Sequence, residues 1–569
     1  MKRITKQLST TLLLLLTSSW VFGQSGKTPT PAKNGMVVSS HYLGAQAGTN
    51  ILKKGGNAID AAVATAFAMA VVHPSAGNIG GGGFLVYHGA DGTNTGFNFR
   101  EKAPKKATET MFLDKDGNYD RHAHHFSPLA VGVPGTVAGL WKAHQRFGKL
   151  TWGDLVQPAV TLAEKGFPST WRDQDFLKRL QTRKEKVYDA SKKAFLKNGK
   201  EVYEPGDLFK QPDLAATLKR IQKDGKDGFY KGKTAKLIAK YMKKHDGLIT
   251  KEDLADYEAD EQDLIHGTYR GYDVYGMSPP SSGGVAVVEM LNILEGYNLK
   301  EIGHNSALYL HLLTEAMRAA FADRAEHLGD PAFNPDLPLK RLTSKAHADK
   351  IRRNIDWYSS TESDSSKFNQ VHFESDETTH FSVVDAAGNA VSLTYTLEYS
   401  YGSSITVDGA GFLLNNEMGD FNPIPGTTTR TGLIGTKPNL VAPGKRMLSS
   451  MSPTIVAKDG KPVIVIGSPG GRTIINTTLQ VILNVIDHGM DIAQAIEAGR
   501  IHHQWLPDIT TFEEFSISPD TERLYKMMGH DIRFRKTMGR AMGIHIDHEN
   551  GLLYGGADSR SFDGKAVGY

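Results

Sequence analysis

The sequence predicts a layered α/β protein, and three observations support this. Apolar helical patterns alternate with short apolar strand patterns at both ends of the chain. The 569 residues are enough for one large hydrophobic core or for several. No segment repeats at the periods that are typical of solenoids or propellers. The expected architecture therefore stacks sheets and helices in layers.

Residues 1–23 have the pattern of a secretory signal peptide. Basic residues at the start precede an apolar run from Leu8 to Leu16, and Val21-Phe22-Gly23 offers a small-residue cleavage site. A membrane anchor is the alternative, but the apolar run is shorter than the ~20 residues that span a bilayer. We therefore expect a periplasmic or secreted protein without a membrane anchor.

Composition excludes several classes of site and partner. The chain has no cysteine, so disulfides, cysteine nucleophiles and thiolate metal sites are excluded. The formal net charge of +4 falls to +1 when the three basic residues of segment 1–23 are removed. A nearly neutral mature chain argues against a nucleic-acid partner.

The N-terminal part predicts two helices and a hairpin. One helix runs over residues 41–54, and Asn57 can cap a second over residues 58–72, which is apolar almost all round and should be buried. A hairpin of residues 84–88 and 97–100 ends at Arg100. An arginine there is usually ion-paired or solvated, whereas its functional role would be bidentate capture of a carboxylate.

The middle of the chain predicts mostly helices. Residues 170–265 are charged and helical, which is typical of a solvated layer, and a strand pattern covers residues 269–277. Apolar helices follow over residues 285–294 and 307–327. Residues 355–376 are rich in Ser, Asp and Glu, so we expect an exposed linker.

Two histidine groups are candidate metal sites. His122, His124 and His125 share a loop, but no carboxylate ligand is obvious beside them. His502 and His503 are adjacent, and adjacent side chains point apart on a regular element, which favours a packing role. We expect neither a metal nor a cofactor.

A hairpin after the linker is the strongest candidate site. The strand that begins at Thr378 is followed by the turn 386–389 and a second strand over residues 390–397. Folding about this turn places Thr378 opposite Leu397, within about one residue, so Thr396 becomes its neighbour. Paired threonines at the open end of a hairpin are either a nucleophile site or two β-formers on a sheet.

The C-terminal part adds two further features. Residues 411–416 and 463–467 have strand patterns, and the segment 423–443 between them is either a lid over a pocket or a long loop. Gly470-Gly471 precedes a helix over residues 473–488. Backbone N–H groups at such a helix start suit an anion or oxyanion, although a simple strand-to-helix turn is the alternative.

These motifs together resemble the γ-glutamyltransferase (glutathione hydrolase) family of the N-terminal-nucleophile hydrolase superfamily. The octet from Thr378 to Asp385 is similar to the junction at which these enzymes cut themselves in two. The resemblance covers nearly all of the chain after residue 34, in the family's order and spacing. Its other motifs are Phe99 to Glu101, Pro279 to Gly284, Thr394 to Thr396, Leu414 to Met418, Leu448 to Thr454 and Gly467 to Gly471.

The resemblance implies an αββα sandwich that two subunits of one precursor build jointly. Cleavage between Glu377 and Thr378 would separate a large subunit, residues 24–377, from a small catalytic subunit, residues 378–569. The two subunits would stay together as a heterodimer. A threonine at a new chain terminus carries its own base, because its α-amino group has a pKa near ~8.

The resemblance also implies roles for individual residues. Thr378 would be the nucleophile, Thr396 would position it, and Thr394 would orient its hydroxyl during self-cleavage. Gly470 and Gly471 would donate N–H groups to the tetrahedral oxyanion. The α-carboxylate of the substrate would meet Arg100, Ser449 and Ser450, and its α-amino group would meet Glu398, Glu417 and Asp420.

The expected substrates are glutathione and other γ-glutamyl compounds. The γ-glutamyl group would pass to water or to the amine of an amino acid or peptide. Glu398 and Glu417 stand where some bacterial members have Asn and Gln, which leaves the balance between hydrolysis and transfer open. One alternative is a related self-cleaving amidase, either a poly-γ-glutamate depolymerase or a cephalosporin-type acylase. The other is an exported binding protein without activity.

Overall fold

The computed structural model describes residues 27–182, 188–363, 378–430 and 433–569. The predicted signal peptide, Glu377 and most of the predicted linker therefore lie outside the described residues. Within the described ranges, no helix combines the length and the apolar character needed to cross a bilayer.

Two large sheets form the centre of the molecule, and each contains seven strands among the described residues. Sheet I contains, from edge to edge, β19 (Lys565–Gly568), β2 (Met36–Ser39), β10 (Thr379–Val384), β11 (Ala390–Thr396), β3 (Gly82–His88), β4 (Asn94–Asn98) and β7 (Asp260–Gln262). Sheet II contains β1 (Thr30–Ala32), β18 (Leu552–Ala557), β17 (Met542–Asp547), β13 (Lys461–Ile466), β12 (Thr454–Lys458), β9 (Tyr272–Gly276) and β8 (Ile265–Tyr269). Neighbouring strands are antiparallel throughout both sheets.

The two sheets pack face to face over an apolar core that includes Phe84 and Val86 of sheet I and Val465 and Ile544 of sheet II. Hydroxyl groups also join the sheets. Ser382 Oγ donates to the carbonyl oxygen of Met542 at 2.9 Å. Burial makes such hydrogen bonds necessary, because an unpaired hydroxyl between two apolar faces would be costly.

One helix layer covers the outer face of sheet I. It includes α1 (Tyr42–Lys53), α2 (Ala58–Val72), α4 (Thr136–Phe147) and α5 (Trp152–Lys165). Every residue of α2 is buried, and Asn57 caps the helix through a reciprocal pair of hydrogen bonds with Asp60. The predicted bounds and burial of this helix are confirmed.

A second helix layer covers the outer face of sheet II. It includes α12 (Gly283–Leu294), α14 (Ala307–His327), α16 (Lys345–Arg352), α17 (Thr473–Ile486) and α18 (Ile492–Glu497). The apolar residues of these helices share one core with the outer face of sheet II. The order helix, sheet, sheet, helix is the predicted αββα sandwich.

The remaining elements lie at the periphery. The charged region 170–265 is helical as predicted, with α6 (Trp171–Gln181), α7 (Asp189–Phe195), α8 (Pro212–Asp224), α9 (Asp227–Tyr230), α10 (Gly232–Lys244) and α11 (Lys251–Ala255). The other short helices are α3 (Arg121–His125), α13 (Leu299–Ile302), α15 (Leu339–Leu342) and α19 (Pro519–Met527). Small sheets pair β5 (Phe167–Pro168) with β6 (Leu208–Phe209), and join β14 (Ile501–His502), β15 (Thr510–Glu513) and β16 (Ile532–Arg535).

One predicted strand is wrong. Residues 411–416 form only one isolated bridge, between Leu413 and Thr406. The polar groups that follow Leu413 form hydrogen bonds with loops and not with a strand. Asn415, for example, donates through both its backbone and its side chain to the carbonyl oxygen of Gly80. The predicted strand 269–277 is confirmed as β9, but it begins later, at Tyr272, because a turn at Arg270 and Gly271, both at positive φ, separates it from β8.

Candidate active site

The strand register brings the two candidate threonines together. Thr379 of β10 pairs with Tyr395 of β11, so Thr378 lies directly opposite Thr396. The hydroxyl of Thr378 donates to the hydroxyl oxygen of Thr396 at 3.4 Å. The predicted register is therefore correct within its tolerance of one residue, and both side chains are buried.

Thr396 is held from its other side by the chain that follows β11. The backbone N–H of Glu398 donates to the Thr396 hydroxyl oxygen at 2.8 Å. Glu398 has a φ of 75°, a left-handed conformation that is strained for a residue with a side chain. This conformation turns the chain sharply at the open end of the hairpin, beside Thr378.

Thr394 lies two residues before Thr396, on the same face of β11, and its hydroxyl contacts a histidine. His380 Nδ1 is 2.8 Å from Thr394 Oγ1, and His380 Nε2 is 3.1 Å from Ser382 Oγ. Burial lowers the pKa of His380 to about 3, so its ring is neutral. Among the described residues, Thr394 is therefore linked to Thr378 only through the pairing of β10 with β11.

One pocket contains nearly all of the predicted site residues. Those that it does not contain are Thr394, Gly470 and Glu377, and Glu377 lies outside the described residues. The lining residues are Arg100, Thr378, Thr396, Glu398, Glu417, Asp420, Ser449, Ser450, Met451, Gly471 and Ile474. The pocket is therefore lined mainly by polar and charged side chains, and Thr378, the candidate nucleophile, is among them.

Arg100 is fully buried and is surrounded by carboxylates. Its Nη1 atom is 2.5 Å from Glu417 Oε2 and 3.4 Å from Glu101 Oε2, and its Nη2 atom binds Asp420. The predicted ligands for the two ends of a substrate are therefore in contact with each other. A guanidinium pairs bidentately with carboxylates, so this contact fixes the plane of Arg100.

The charges in this group do not balance, because one arginine faces three acids. Burial alone lowers the pKa of Arg100, but Glu417, Asp420 and Glu101 outweigh it and raise that pKa. Burial raises the pKa of Glu417 well above its ordinary value, against the opposing effect of Arg100. Burial and the neighbouring Glu417 raise the pKa of Glu101 in the same direction. An added cation would relieve this excess of negative charge.

The two predicted serines are positioned by an arginine that the sequence analysis missed. Arg324, on α14, donates from Nη2 to Ser450 Oγ at 3.0 Å and from Nε to Ser282 Oγ at 2.8 Å. The Ser282 hydroxyl in turn donates to the carbonyl oxygen of Ser449 at 2.7 Å. The only sequence signal was indirect, since Ser282 belongs to one of the matching motifs.

Gly470 and Gly471 connect β13 to α17 with φ values of 135° and 55°. A side chain is strained at such angles, and a Cβ atom on Gly470 would lie 2.4 Å from Thr473 Oγ1. Within the described residues, neither glycine donates its amide N–H to a protein group. The predicted start of the helix at Thr473 is confirmed.

A second cavity lies beside the first and shares Asp420 with it. Gly470 lines this cavity, together with Leu433 and Ile434 from the predicted lid segment 423–443. Its cationic lining residues are Arg121, Arg472, Arg533 and Arg535. The two consecutive glycines thus border two different cavities, one lined by three carboxyl groups and one arginine, and the other rich in arginine.

The histidines that were candidate metal ligands contact protein groups in the structure. His125 Nδ1 is 3.1 Å from Glu398 Oε1, and its ring stacks on Tyr399 at 5.2 Å. His124 bonds to the Tyr119 hydroxyl, and His502 bonds to Asn476. The contact of His125 with Glu398 is a site feature that the sequence analysis missed, because it joins loops that are distant in the chain.

Taken together, the fold and the site define a class of protein. Two facing antiparallel sheets lie between two helix layers, and a threonine with a neighbouring hydroxyl immediately precedes a central strand. This is the architecture of the N-terminal-nucleophile hydrolases. A search of solved structures agrees: the cephalosporin acylase from Bacillus halodurans is similar with a TM-score of 0.83 and 28% identity, over 97% of this chain and 98% of that chain.

The chain belongs to the γ-glutamyltranspeptidase family. The sequence profile described as Gamma-glutamyltranspeptidase matches residues 44–569. The glutathione hydrolase proenzyme of Escherichia coli (strain K12) is 47% identical over 542 residues, which cover 95% of this chain and 93% of that protein. The crystal structure of Helicobacter pylori gamma-glutamyltranspeptidase is similar with a TM-score of 0.56 and 47% identity, over 58% of this chain and 94% of that chain.

Proposed function

We propose that this protein is a γ-glutamyltransferase and glutathione hydrolase whose nucleophile is Thr378. The observation that carries the proposal is one pocket in which Thr378 and Thr396 face Arg100, three carboxylates and two serines. A threonine nucleophile beside a compact set of opposite charges suits a substrate with an α-amino acid head group.

Maturation would expose the base that the nucleophile needs. The Thr378 hydroxyl attacks the carbonyl carbon of Glu377, and the peptide bond between them becomes an ester. Water hydrolyses this ester, which leaves a carboxylate on Glu377 and a free α-amino group on Thr378. The large subunit, residues 24–377, and the small subunit, residues 378–569, remain associated.

Turnover then follows the same chemistry on a substrate. The α-amino group of Thr378 accepts the hydroxyl proton as the oxygen attacks the γ-glutamyl carbonyl carbon. The unpaired N–H groups of Gly470 and Gly471 are suited to the resulting oxyanion. The C–N bond breaks, the amine leaves with the proton, and a γ-glutamyl ester remains on Thr378. Water or an acceptor amine then takes the γ-glutamyl group.

The charges of the site indicate how the substrate would lie. An α-ammonium group among Glu398, Glu417 and Asp420 would offset the excess of acids. The α-carboxylate would lie toward Ser449, Ser450 and the edge of Arg100, which already binds Glu417 and Asp420. The arginines of the second cavity suit the carboxylate that a peptide leaving group or acceptor carries.

Export to the periplasm or medium is part of the proposal and rests on residues 1–23 alone. Association of the two subunits rests on the sheets. Sheet I and sheet II both contain strands from before and after Thr378, so cleavage there leaves each sheet with strands of both products.

The alternative function is that of a self-cleaving amidase with another acyl group. The similarity to the Bacillus halodurans cephalosporin acylase favours it. The ring of acids around Arg100 argues against it, because an acyl group without an α-amino group would leave these carboxylates uncompensated.

The test begins with the purified protein. We expect two associated chains, the smaller beginning Thr-Thr-His-Phe-Ser, and release of glutamate from glutathione. The variant Thr378→Ala should remain one chain and release none. A wild-type protein that stays uncleaved would refute the proposal. Cleavage with hydrolysis of glutaryl amides or poly-γ-glutamate, but not of glutathione, would favour the alternative amidase.

A further inference from the structure

Three acid and imidazole side chains meet in the helix layer that covers sheet II, away from the active-site pocket. Glu289 lies on α12, Asp323 on α14 and His347 on α16. The Nε2 atom of His347 is 2.7 Å from Asp323 Oδ2 and 3.5 Å from Glu289 Oε1. One ligand atom from each residue lies within 4.8 Å of the other two.

Glu289 is the unusual member of this cluster. Its side chain is only 1% exposed, and within the described residues its Oε1 atom has no hydrogen-bond partner. Burial raises the pKa of Glu289 to about 8, because an ionised carboxylate buried in this way needs a cation or a full set of donors. The Oε1 atom lies 3.5 Å from His347 Nε2, so the atom that lacks a partner faces the cluster.

We propose that Glu289, Asp323 and His347 bind one Zn²⁺ ion. Two carboxylate oxygens and one imidazole nitrogen are a donor set that Zn²⁺ accepts, with bonds of about 2.0–2.2 Å. Tetrahedral bonds of this length place ligand atoms roughly 3.4 Å apart, so the pair now at 2.7 Å would open slightly. Water would occupy the fourth position.

The surroundings of the cluster permit entry of the ion. The side chains of Asp323 and His347 are 17% and 12% exposed, whereas Glu289 forms the floor. Arg341 lies at the edge of the cluster, with its Nη2 atom 4.0 Å from Asp323 Oδ1 and its side chain 45% exposed. It can move into solvent when an ion arrives. His327 Nε2, at 3.5 Å from Asp323 Oδ1, orients this carboxylate from the other side.

The ion would act as a structural link. It would join three helices, and it would fix Asp323 beside Arg324 in the chain. Arg324 donates to Ser282 and to Ser450, and Ser450 lines the active-site pocket. The zinc site is independent of the proposed reaction, and it would stabilise the protein whether or not that reaction occurs.

Zinc binding is tested on the full mature protein after dialysis against a chelator. Isothermal titration with ZnCl₂ should give one ion per heterodimer of large and small subunit, and the melting temperature should rise with zinc, because the ion binds the folded state. In Glu289→Gln and His347→Asn, we expect affinity at least 10-fold lower, as even outer-shell changes produce such losses. No zinc bound to the wild type would overturn the inference in favour of a cluster that only shares protons.

A matched control is available on the surface. His266 Nε2 is 2.8 Å from Asp273 Oδ1, but this exposed pair has no third ligand among the residues described. The variant His266→Asn should bind zinc as the wild type does. An equal loss of zinc affinity in this control, or no loss of zinc affinity in the two ligand variants, would also overturn the inference. Because Gln replaces Glu289 at equal size, the metal-free melting temperature shows whether that variant is folded.

Discussion

At the scale of single residues, the site depends on hydroxyl groups that other atoms hold in place. Thr396 accepts a hydrogen bond from the backbone of Glu398 and another from the Thr378 hydroxyl. It can therefore orient the lone pairs of Thr378 without taking part in bond formation. A hydroxyl that positions a nucleophile affects the rate of the chemical step more than the affinity for substrate.

Replacing Thr396 by Val removes this hydroxyl at nearly constant volume. We expect kcat to fall about 100-fold with little change in KM, because misplacement of a reacting group by about 1 Å has this effect. Steady-state hydrolysis of a γ-glutamyl anilide measures both constants. Thr396→Ser, which keeps the hydroxyl, should retain most activity, and cleavage into two chains is checked by gel electrophoresis. A Val variant within threefold of the wild type would contradict the positioning role.

The contacts of Arg100 could not be predicted from the sequence. The motif Phe99 to Glu101 indicated a carboxylate-binding arginine, but not that Glu417 and Asp420 occupy its guanidinium. Those acids come from a segment more than 300 positions later, as the sequence separation of 317 for Glu417 shows. Such contacts depend on how the elements pack.

At the scale of elements, the turn between β13 and α17 decides the geometry of the two glycines. Its positive φ values aim consecutive N–H groups out of the regular hydrogen-bond network. The sequence indicated this turn because glycine pairs at a strand-to-helix junction are typical of anion sites. Only the structure shows that Gly471 borders the nucleophile pocket and Gly470 the arginine-rich cavity.

Replacing Gly470 by Ala tests this turn. The new Cβ would lie 2.4 Å from Thr473 Oγ1, so the turn must shift and its N–H groups with it. We expect kcat to fall about 100- to 1,000-fold, the cost of losing one oxyanion donor. The control is Gly460→Ala, in the hairpin of β12 and β13, which also has positive φ but open space around it. It should cost about 1–2 kcal/mol of stability from strain and leave kcat unchanged. Equal kcat in both variants would contradict the oxyanion role.

Helices and strands were predicted correctly where the local sequence contains both the signal for the start of the element and its apolar pattern. The helix over residues 58–72 has a capping residue at its start and apolar residues on all sides, and its bounds are as predicted. The predicted strand 411–416 failed because its apolar pattern was right but its hydrogen-bond partners were loops. Strand assignment depends on a neighbour that the local sequence does not specify.

At the scale of the whole molecule, burial keeps several histidines neutral. Burial lowers the pKa of each to about 3, and these residues are His41, His124, His380 and His502. Their unfolded pKa is near 6.5. Because the folded pKa values are depressed, the stabilising contribution is complete above about pH 6.5 and is lost as the pH falls toward 3.

The free energy of unfolding should therefore decrease below pH 6.5, by about 1.4 kcal/mol per pH unit for each such histidine. Between pH 7 and pH 5 this amounts to about 2 kcal/mol per residue. In His380→Asn the decrease in the free energy of unfolding from pH 7 to pH 5 should be smaller by that amount. In the exposed control His122→Asn the decrease should equal that of the wild type. Urea unfolding at both pH values measures this, in the Thr378→Ala background to keep one chain. Equal losses in all three proteins would contradict the neutral state of His380.

The sequence by itself determined the layered α/β class, the nucleophile hairpin and the family, because these depend on local patterns and on motifs with fixed spacing. The register of Thr378 and Thr396 followed from the length of one turn. Only the tertiary structure decided the contacts of Arg100, the role of Arg324 beside Ser450, and the cluster of Glu289, Asp323 and His347. These groups meet because two sheets and two helix layers stack, and the free energy of that packing is a property of the whole chain.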